Sequence, residues 1–327
     1  MSDATGPTGK PGVTDPTGKQ DMADPKDVSA PGEPDATDPK DETDTPSPTD
    51  VAAWWQTGII DMAPGQIRLR GHPIEQLIGE VSFAQIVWLM TRGRLPSPEE
   101  AQLLEAALVA AVDHGPQAPS IAAARMAVTC GLGLNGAIAS AVNMLDDVHG
   151  GAGEQAVELY HAIDADRDRG LNDATGRAIE AWQAQRSAFI PGFGHRFHKP
   201  VDPRAPRLLA LVDAAAAAGT VSGRFAGIAR EIEAQLAARK AKPVPMNIDG
   251  ATAVVFAELG FAAPLARGLF CLSRSVGILA HAWEQTTQGG RNKGPTPPAY
   301  RWHYTGANPI RPQKARLARN DDTEETS

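Results

Sequence analysis

The apolar and polar positions of this chain follow the spacing of helices over most of its length. The sequence SPEE at 97–100 has the form of a capping box with proline in the first helical turn, and it opens the apolar run at 101–112. The dipeptide DP at 202–203 begins a second predicted helix, which ends at Gly219. Ser222 leads a third, with acidic residues early and basic residues late, as the helix dipole favours.

The longest apolar segment runs from Pro264 to the glycine pair at 289–290 and predicts the last helix. One stretch alternates instead: QIRLR at 66–70 predicts a short strand or extended arm. Between Ser82 and Gln288 the pattern contains no convincing strand. Runs of alanine, which favours helices over strands, agree with this pattern. The sequence therefore predicts a mostly α fold.

Residues 1–50 differ in composition from the rest of the chain. They contain nine prolines, no aromatic residue and a repeated PTGK (7–10 and 16–19). Such a segment cannot bury enough apolar surface to offset the entropy of ordering it, so we expect a disordered acidic tail. Residues 313–327 predict a second, shorter tail, which leaves an ordered part at about 53–312.

Charge and cysteine content exclude several classes of function. The tail holds ten Asp, two Glu and four Lys, which account for the chain's formal net charge of −8 and leave the folded part neutral, so we expect no nucleic-acid surface. Cys130 and Cys271 lie in apolar helical runs, so we expect a reducing compartment and no disulfide framework. The start is acidic and lacks a signal-peptide core, and no window approaches 18 uncharged apolar residues. We therefore expect a cytoplasmic protein without a membrane span.

Positive and titratable residues are concentrated in the loop IPGFGHRFHKPVDPR at 190–204. With Lys199 and Arg204 nearby, His195 could donate a proton at a site that binds a substrate with several carboxylates. The alternative is a metal site formed by His195 and His198. Because no cysteine or third ligand has a recognisable spacing, we favour the anion site and expect no metal.

Two further residues stand where predicted helices begin. His149 precedes the sequence GGAG at 150–153, where glycines let the backbone approach a ligand, so His149 could polarise a carbonyl oxygen. A turn that needs glycine for its geometry is the alternative. Asp249 begins another predicted helix, where it could cap the first turn or, if shielded from water, act as a general base. From the sequence, the cap is the simpler explanation.

Arg274 interrupts the apolar helix GLFCLSRSVGILAHAW. A buried arginine is costly without an anionic partner, so we expect a protein or substrate carboxylate beside it. His281, seven residues later, would lie on the same helix face and could be a packing residue. The sequence GLGLNG at 131–136 matches a dinucleotide fingerprint, but a predicted helix rather than a strand precedes it, so we reject that interpretation.

Taken together, these segments resemble the citrate synthase family. The loop at 191–204 resembles its signature of Gly-x-Gly-His followed by a basic residue and Asp-Pro-Arg. Similar segments occur in the family's order over roughly residues 53–310, which makes the match more specific than any single motif. They are IRLRGHPIEQLI (67–78), VWLMTRGRLPSPEE (87–100), DHGPQAPSIAAAR (113–125), HGGAGE (149–154), NID (247–249) and SRSVGILAHAWEQ (273–285).

The resemblance implies a multi-helix fold with a large helical domain and a smaller helical domain, inserted at about 190–260, around a cleft. It also implies three catalytic residues. Asp249 would take a proton from the methyl group of acetyl-CoA, and His149 would hydrogen-bond the thioester oxygen. His195 would donate a proton to the keto oxygen of oxaloacetate as the carbon–carbon bond forms.

Binding residues and partners follow from the same resemblance. Arg204 and Arg274 would bind substrate carboxylates, with His114 helping on the oxaloacetate side. The residues implied near CoA are Gly192, Gly194, Arg196 and Lys199. Acetyl-CoA or CoA is then a co-substrate beside a di- or tricarboxylate, and no cofactor is bound permanently. We expect a homodimer, because the family forms its sites near a helical dimer interface.

Departures from the family pattern bear on the reaction. Synthases usually carry an aromatic residue after the catalytic aspartate; this chain has Gly250, which resembles citryl-CoA lyases and the carboxy-terminal module of ATP-citrate lyase. The ordered chain is also short for a synthase. The late arginine that synthases present to the partner subunit could be Arg291, Arg301 or Arg311. We therefore favour a citryl-CoA lyase, with citrate synthase proper and a non-catalytic CoA- or tricarboxylate-binding homologue as alternatives.

Overall fold

The computed structural model describes residues 53–239 and 242–307. The chain divides into two units, Met1–Thr57 and Gly58–Ser327, and every helix and strand named below belongs to the second. Of the first unit, residues 53–57 form a single turn. The predicted tails at 1–50 and 313–327 lie outside the described residues.

Helices dominate the described part of the chain, so the predicted mostly α fold is confirmed. The helices are α1 Ile74–Leu77, α2 Phe83–Arg92, α3 Pro98–Ala111, α4 Pro119–Thr129, α5 Leu134–Val142, α6 Ala152–Asp168, α7 Ala174–Gln185, α8 Arg204–Ala217, α9 Arg224–Arg239, α10 Ile248–Glu258 and α11 Ala263–Gln288. The helix α4 precedes the sequence GLGLNG, as the rejection of a dinucleotide site requires. The predicted division into a large and a small helical domain stays a prediction.

The alternating stretch at 66–70 forms the central strand of a small antiparallel sheet. The strands β1 (Ile60–Ala63), β2 (Gln66–Leu69) and β3 (His72–Pro73) follow one another in that order. Arg70, just after β2, donates from Nε and Nη2 to the carbonyl of Met90 in α2. The forked side chain of Arg70 therefore joins the sheet to α2.

Side-chain caps set where several helices begin. The hydroxyl of Ser97 accepts the N–H of Glu100 (3.2 Å), whose carboxylate accepts the N–H of Ser97 (2.8 Å), which completes the predicted capping box at α3. Ser82 and Gln85 form a second such box at the start of α2. The carboxylate of Glu258 accepts four backbone N–H groups around the start of α9 and so ties α10 to α9.

The helix α10 forms the centre of the core. Its residues 250–257 are all buried, and α3, α6, α8 and α9 pack around it. The largest side chains buried in the same core include Trp88, Tyr160 and Phe261. Because Asp249 lies in the first turn of this helix, the packing of the core fixes where its backbone stands.

The long helix α11 packs along α3, α4, α5 and α6, with a smaller apolar cluster against α4 and α5. Among the described residues it is the one helix whose length and composition would let it cross a membrane. Two of its arginines are bound within the protein, since Arg267 pairs with carboxylates of the 146–154 segment and Arg274 donates to Ala111. These contacts are those of a helix that packs against the core.

Candidate active site

Most of the predicted catalytic and carboxylate-binding residues lie at a helix end or in a loop beside one. They are His114 after α3, His149 before α6, His195 before α8, Arg204 at the start of α8, Asp249 in the first turn of α10, and Arg274 within α11. The N-terminus of a helix carries partial positive charge, so the starts of α6, α8 and α10 favour negatively charged groups nearby.

His195 is held in one tautomer by its own loop. Its Nδ1 accepts the backbone N–H groups of Phe197 (3.1 Å) and His198 (3.0 Å). A ring nitrogen that accepts carries no proton, so the proton of the neutral ring is on Nε2. Partial burial and the neighbouring His198 lower the pKa of His195, although Asp202 acts in the opposite direction. The ring is therefore neutral at pH 7, with Nε2–H left to donate to a ligand.

The same geometry argues against the metal alternative at His195 and His198. Their rings lie 4.5 Å apart between centroids, but two backbone N–H groups already occupy Nδ1 of His195. Within the described ranges, no group of three or more potential ligand side chains could hold a metal ion. The absence of a metal at these two histidines stays a prediction.

His149 is held in the opposite tautomer by the start of α4. Its Nε2 accepts the backbone N–H of Ser120 (3.2 Å) and lies 3.0 Å from the hydroxyl of the same residue. The proton of the neutral ring is therefore on Nδ1. Partial burial, and then the charge of Arg274, lower the pKa of His149 and keep the ring neutral. His149 thus offers Nδ1–H as a donor for an oxygen that gains negative charge.

Asp249 does not cap α10, so the simpler explanation from the sequence is wrong. Asn247 is the cap: its Oδ1 accepts the N–H groups of Asp249 (2.9 Å) and Gly250 (3.2 Å). The helix begins at Ile248, which puts Asp249 at its second position. In the described part of the chain, no hydrogen bond reaches the carboxylate of Asp249.

The surroundings of Asp249 make it a stronger base than an ordinary aspartate. Burial raises its pKa, and the charges of Arg274 and Arg204 only partly offset that effect, while Asp202 adds to it. A carboxylate that is poorly solvated and not hydrogen-bonded gains more from taking up a proton than one in water. Asp249 is therefore a stronger proton acceptor than an ordinary aspartate, and its role as a general base stays a prediction.

Arg274 is buried without a carboxylate partner. It is 4% exposed, its Nε donates to the carbonyl of Ala111 (3.1 Å), and its guanidinium lies 4.8 Å from the centroid of the Phe270 ring. Among the described residues no carboxylate forms an ion pair with it. Its charge acts on His114, His149 and Asp249 alike. The carboxylates that act on it from a distance are Asp249 and Asp113, and a substrate carboxylate as its direct partner stays a prediction.

Arg204 is already paired within the protein, which the sequence did not reveal. Asp202, 1% exposed, accepts Nε (2.9 Å) and Nη2 (2.8 Å) of Arg204 in a bidentate pair. The same carboxylate accepts the N–H of Ile248 (3.1 Å) and so joins the His195 loop to the start of α10. Arg204 keeps Nη1 for a ligand. The one sequence signal for Asp202 was its place in the DPR motif.

His114 meets His195 in the site. Their rings lie 5.3 Å apart between centroids, edge to face. Partial burial and the charges of Arg274 and Arg204 lower the pKa of His114, so this ring too is neutral at pH 7. The structure therefore brings together two of the three histidines to which the resemblance assigns a role in the site.

The four residues implied near CoA divide into two pairs. Arg196 and Lys199 are exposed and, within the described ranges, have no hydrogen-bond or ion-pair partner. Gly192 and Gly194 have positive φ (85° and 81°) and pack against the start of α10, where the carbonyl of Gly192 accepts the N–H of Asn247 (2.9 Å). The glycines thus have a structural role, and a CoA role for all four stays a prediction.

Comparisons with known proteins point to one family. The family model for the citrate synthase C-terminal domain matches residues 96–296. The citrate synthase of Acidithiobacillus ferridurans is 30% identical over 237 residues, which are 71% of this chain and 58% of that protein. The citrate synthase of Saccharolobus solfataricus is 30% identical over 212 residues, 64% of this chain and 54% of that protein. The chain thus spans little more than half the length of these curated relatives.

Solved structures point to the same family. The citryl-CoA lyase of Hydrogenobacter thermophilus superposes with a TM-score of 0.69 and 31% identity, over 79% of this chain and 96% of that one. A citrate synthase from Thermoplasma acidophilum shares the fold with a TM-score of 0.56 and 24% identity, over 72% of this chain and 60% of that one. Because the family model covers more than half of the sequence, this chain belongs to the citrate synthase family.

Proposed function

We propose that this chain is an enzyme that makes and breaks the bond between the methyl carbon of acetyl-CoA and the keto carbon of oxaloacetate. Its preferred reaction is the cleavage of citryl-CoA, which makes it a citryl-CoA lyase. One observation carries the proposal: the charge of the buried Arg274 acts both on Asp249, whose carboxylate has no hydrogen bond among the described residues, and on the neutral histidine donor His149.

The chemistry of condensation assigns a task to each group. A methyl proton next to a thioester is weakly acidic, so base and oxyanion donor must act together. Asp249 takes the proton while His149 Nδ1–H donates to the thioester oxygen, and the resulting enol or enolate attacks the keto carbon of oxaloacetate. His195 Nε2–H then supplies the proton for the new hydroxyl group. The same groups act in reverse order when citryl-CoA is cleaved.

Carboxylate binding follows from the arginines. Arg274 offers a buried guanidinium whose Nη groups have no protein partner among the described residues. Arg204 offers Nη1 from a fork already oriented by Asp202. Planar guanidinium groups bind carboxylates in a fixed geometry, so these two can orient a dicarboxylate with its keto carbon toward His195.

Two observations favour the lyase over the synthase. Gly250 faces the carbonyl of Gly192 so closely that this position has no room for a side chain, whereas synthases usually carry an aromatic residue there. The Hydrogenobacter citryl-CoA lyase also superposes with a TM-score of 0.69, against 0.56 for the Thermoplasma citrate synthase. Citrate synthase proper is the second candidate, because the curated synthases of Acidithiobacillus and Saccharolobus are 30% identical to this chain.

A non-catalytic homologue is the third candidate. Such a protein would bind CoA or a tricarboxylate and would need cationic groups and hydrogen-bond donors. It would have no use for a buried carboxylate of raised pKa, which repels an anionic ligand. The environment of Asp249 therefore favours an enzyme.

The acyl-CoA has a groove beside the catalytic loops. An opening of about 750 Å³ lies between the His149 loop and the segment before His195, and Val148, Phe189 and Arg267 are among its lining residues. Phe189 is 79% exposed and offers a ring face for a base to stack on. Arg196 and Lys199 follow in the same loop as free cations for phosphate groups.

We also propose a homodimer. Along α11, Leu272, Val276, Leu279 and Trp283 recur every three or four residues and are 42–59% exposed. An apolar helical stripe of this length indicates a partner surface, and the same stripe on a second copy is complementary to it about a two-fold axis. The exposed Arg291 and Arg301 lie beyond this helix and could reach a partner's site, whereas Arg311 lies outside the described residues.

Product analysis tests the reaction. Purified protein is given either citryl-CoA or acetyl-CoA plus oxaloacetate, and free thiol, acetyl-CoA and oxaloacetate are followed separately. A lyase releases acetyl-CoA and oxaloacetate from citryl-CoA without free thiol. Free CoA together with citrate identifies a synthase. Binding of CoA without turnover of either mixture identifies the non-catalytic homologue, and Asp249→Asn serves as the inactive control.

A further inference from the structure

Two consecutive backbone carbonyls just before the His114 loop accept hydrogen bonds from α11. Near the end of α3, the carbonyl of Ala111 accepts Nε of Arg274 (3.1 Å), and the carbonyl of Val112 accepts the N–H of Gly277 (3.2 Å). A Cβ on Gly277 would overlap the carbonyl oxygen of Val112, so only glycine allows this approach. The last carbonyls of α3, which no helical N–H can reach, are thus satisfied by α11.

His281 continues this line of contacts one helical turn further. Its Nδ1 lies 3.1 Å from Nη1 of Arg125, and its Nε2 lies 3.2 Å from Oδ1 of Asp113. Because arginine can only donate, Nδ1 is the acceptor and the proton of the neutral ring is on Nε2, aimed at Asp113. Arg125 is itself fixed by Glu284 (2.7 Å) and Gln288 (2.6 Å). The ring orientation of His281 is therefore determined from both sides.

Asp113 transmits this constraint to His114. Its second oxygen, Oδ2, accepts the N–H of Gly115 (3.2 Å). One carboxylate therefore contacts His281 of α11 through Oδ1 and the backbone on the far side of His114 through Oδ2. Burial opposes ionisation of Asp113, but hydrogen bonds from the backbone N–H groups of Gly115 and His114 and the presence of His281 outweigh it and lower its pKa. The carboxylate is thus ionised and accepts strong hydrogen bonds.

We propose that His281 and Asp113 are positioning residues that hold His114 toward the dicarboxylate. Neither residue contacts the substrate in this proposal. Both act through the loop at 112–115, in which the ring of His114 meets the ring of His195. The inference rests on the proposed function, since it concerns how the keto dicarboxylate is held. It assigns a functional task to a histidine that the sequence could explain by helix packing.

Two substitutions of His281 separate its two contacts. In His281→Gln the side-chain amide reaches the place of Nε2 and can still donate to Asp113. In His281→Asn the shorter amide reaches only the place of Nδ1, which keeps Arg125 and loses Asp113. We expect His281→Asn to raise the KM for oxaloacetate about three- to tenfold, the effect of one or two lost hydrogen bonds. His281→Gln should stay within about twofold, and neither should change kcat or the KM for acetyl-CoA by more than about twofold.

A double-mutant cycle tests the route of the effect. If His281 acts only through His114, then His281→Asn adds nothing to the loss caused by His114→Ala. Additive effects of the two changes would overturn the proposal, as would equal impairment by the Gln and Asn variants. His161→Asn, on α6, controls for the loss of a histidine at a site without such contacts to α11.

Calorimetry tests the positioning role independently of the proposed reaction. The dissociation constant of oxaloacetate, measured directly on wild type, His281→Asn, His281→Gln and Asp113→Asn, needs no turnover. Weaker binding in His281→Asn and Asp113→Asn alone supports the positioning role even in a protein that cleaves no citryl-CoA. Unchanged binding in both variants overturns it, whatever the reaction of the wild type.

Discussion

Gly192 and Gly250 touch backbone to backbone, and a Cβ on Gly192 would lie 2.6 Å from the Cα of Gly250. Gly192 belongs to the loop that carries His195, and Gly250 follows Asp249 on α10. At this contact no side chain separates the loop that carries His195 from the helix that carries Asp249. The bond from Asn247 to the carbonyl of Gly192 (2.9 Å) and the bond from Ile248 to Asp202 (3.1 Å) hold the same junction.

This contact predicts that Gly250→Ala damages both stability and activity. The added methyl group would force the two backbones apart, and overpacking of this kind costs about 1–3 kcal/mol. Gly268→Ala is the matched control: Gly268 lies exposed in α11 with open space around it, so alanine there should stabilise by about 0.5–1 kcal/mol. Denaturant unfolding of both variants checks the difference, and an unaffected Gly250→Ala would contradict the close contact.

Replacement of the base should separate activity from stability. We expect Asp249→Asn to lower kcat by about 10²- to 10⁴-fold, the usual contribution of a general base. Burial raises the pKa of Asp249 above 3.8, the ordinary pKa of an aspartate in the unfolded chain. Above pH 3.8 the unfolded chain therefore loses this proton more readily than the folded one, and the free energy of unfolding decreases. The variant should therefore unfold at a higher temperature than wild type at pH 7 and lose that advantage near pH 3.8. A destabilised Asp249→Asn at neutral pH would contradict the raised pKa.

The histidine tautomers predict a loss of activity and stability in mild acid. The pKa values of His149 and His195 both lie below the usual 6.5, so the unfolded chain takes up protons first as pH falls through 6.5. The free energy of unfolding should then decrease. The contribution of the two neutral histidines is fully present above pH 6.5 and is lost as pH falls toward their pKa values in the folded protein. Protonation would also place a ring N–H against the backbone N–H of Ser120 or Phe197. We expect kcat/KM to be level above pH 7 and to fall below 6.5, and a profile level to pH 5 would exclude this arrangement.

The buried pair of Asp202 and Arg204 should contribute more than an exposed pair. Asp202→Asn leaves the guanidinium of Arg204 without its charge partner and weakens the bond to Ile248, so we expect a loss of about 3–5 kcal/mol. Asp213→Asn breaks an ion pair with Arg230 in which both side chains are about half exposed, and it should cost about 0–1 kcal/mol. Chemical denaturation of the two variants measures the contrast. Equal losses would show that burial of Asp202 is of no consequence.

Charge on the apolar stripe of α11 should abolish the proposed dimer. Leu272→Glu combined with Val276→Glu places two carboxylates within that stripe, and sedimentation analysis should then find a monomer at concentrations where wild type is dimeric. The matched control introduces the same charges at two exposed alanines of α9, as Ala234→Glu with Ala237→Glu. A dimer that persists in the first variant would locate the interface elsewhere.

The sequence by itself determined the helical elements and the family. The capping box at 97–100, the strand at 66–70 and the last helix to Gln288 depend on neighbours within a few positions, so local patterns predicted them. The order of short motifs along the chain predicted the family, and through it His149, His195 and Asp249. The same local reasoning failed at Asp249, because Asn247, two positions earlier, offers an equally good cap.

The tertiary structure alone decided what those residues can do. Ser120 fixes the tautomer of His149 across 29 positions, Asp202 reaches Ile248 across 46, and His281 reaches Asp113 from a different helix. Such contacts arise from packing of the core around α10 and α11, and no local pattern encodes them. Protonation state, base strength and ligand access depend on burial and on charges brought near by folding, so they became visible only once the helices were packed.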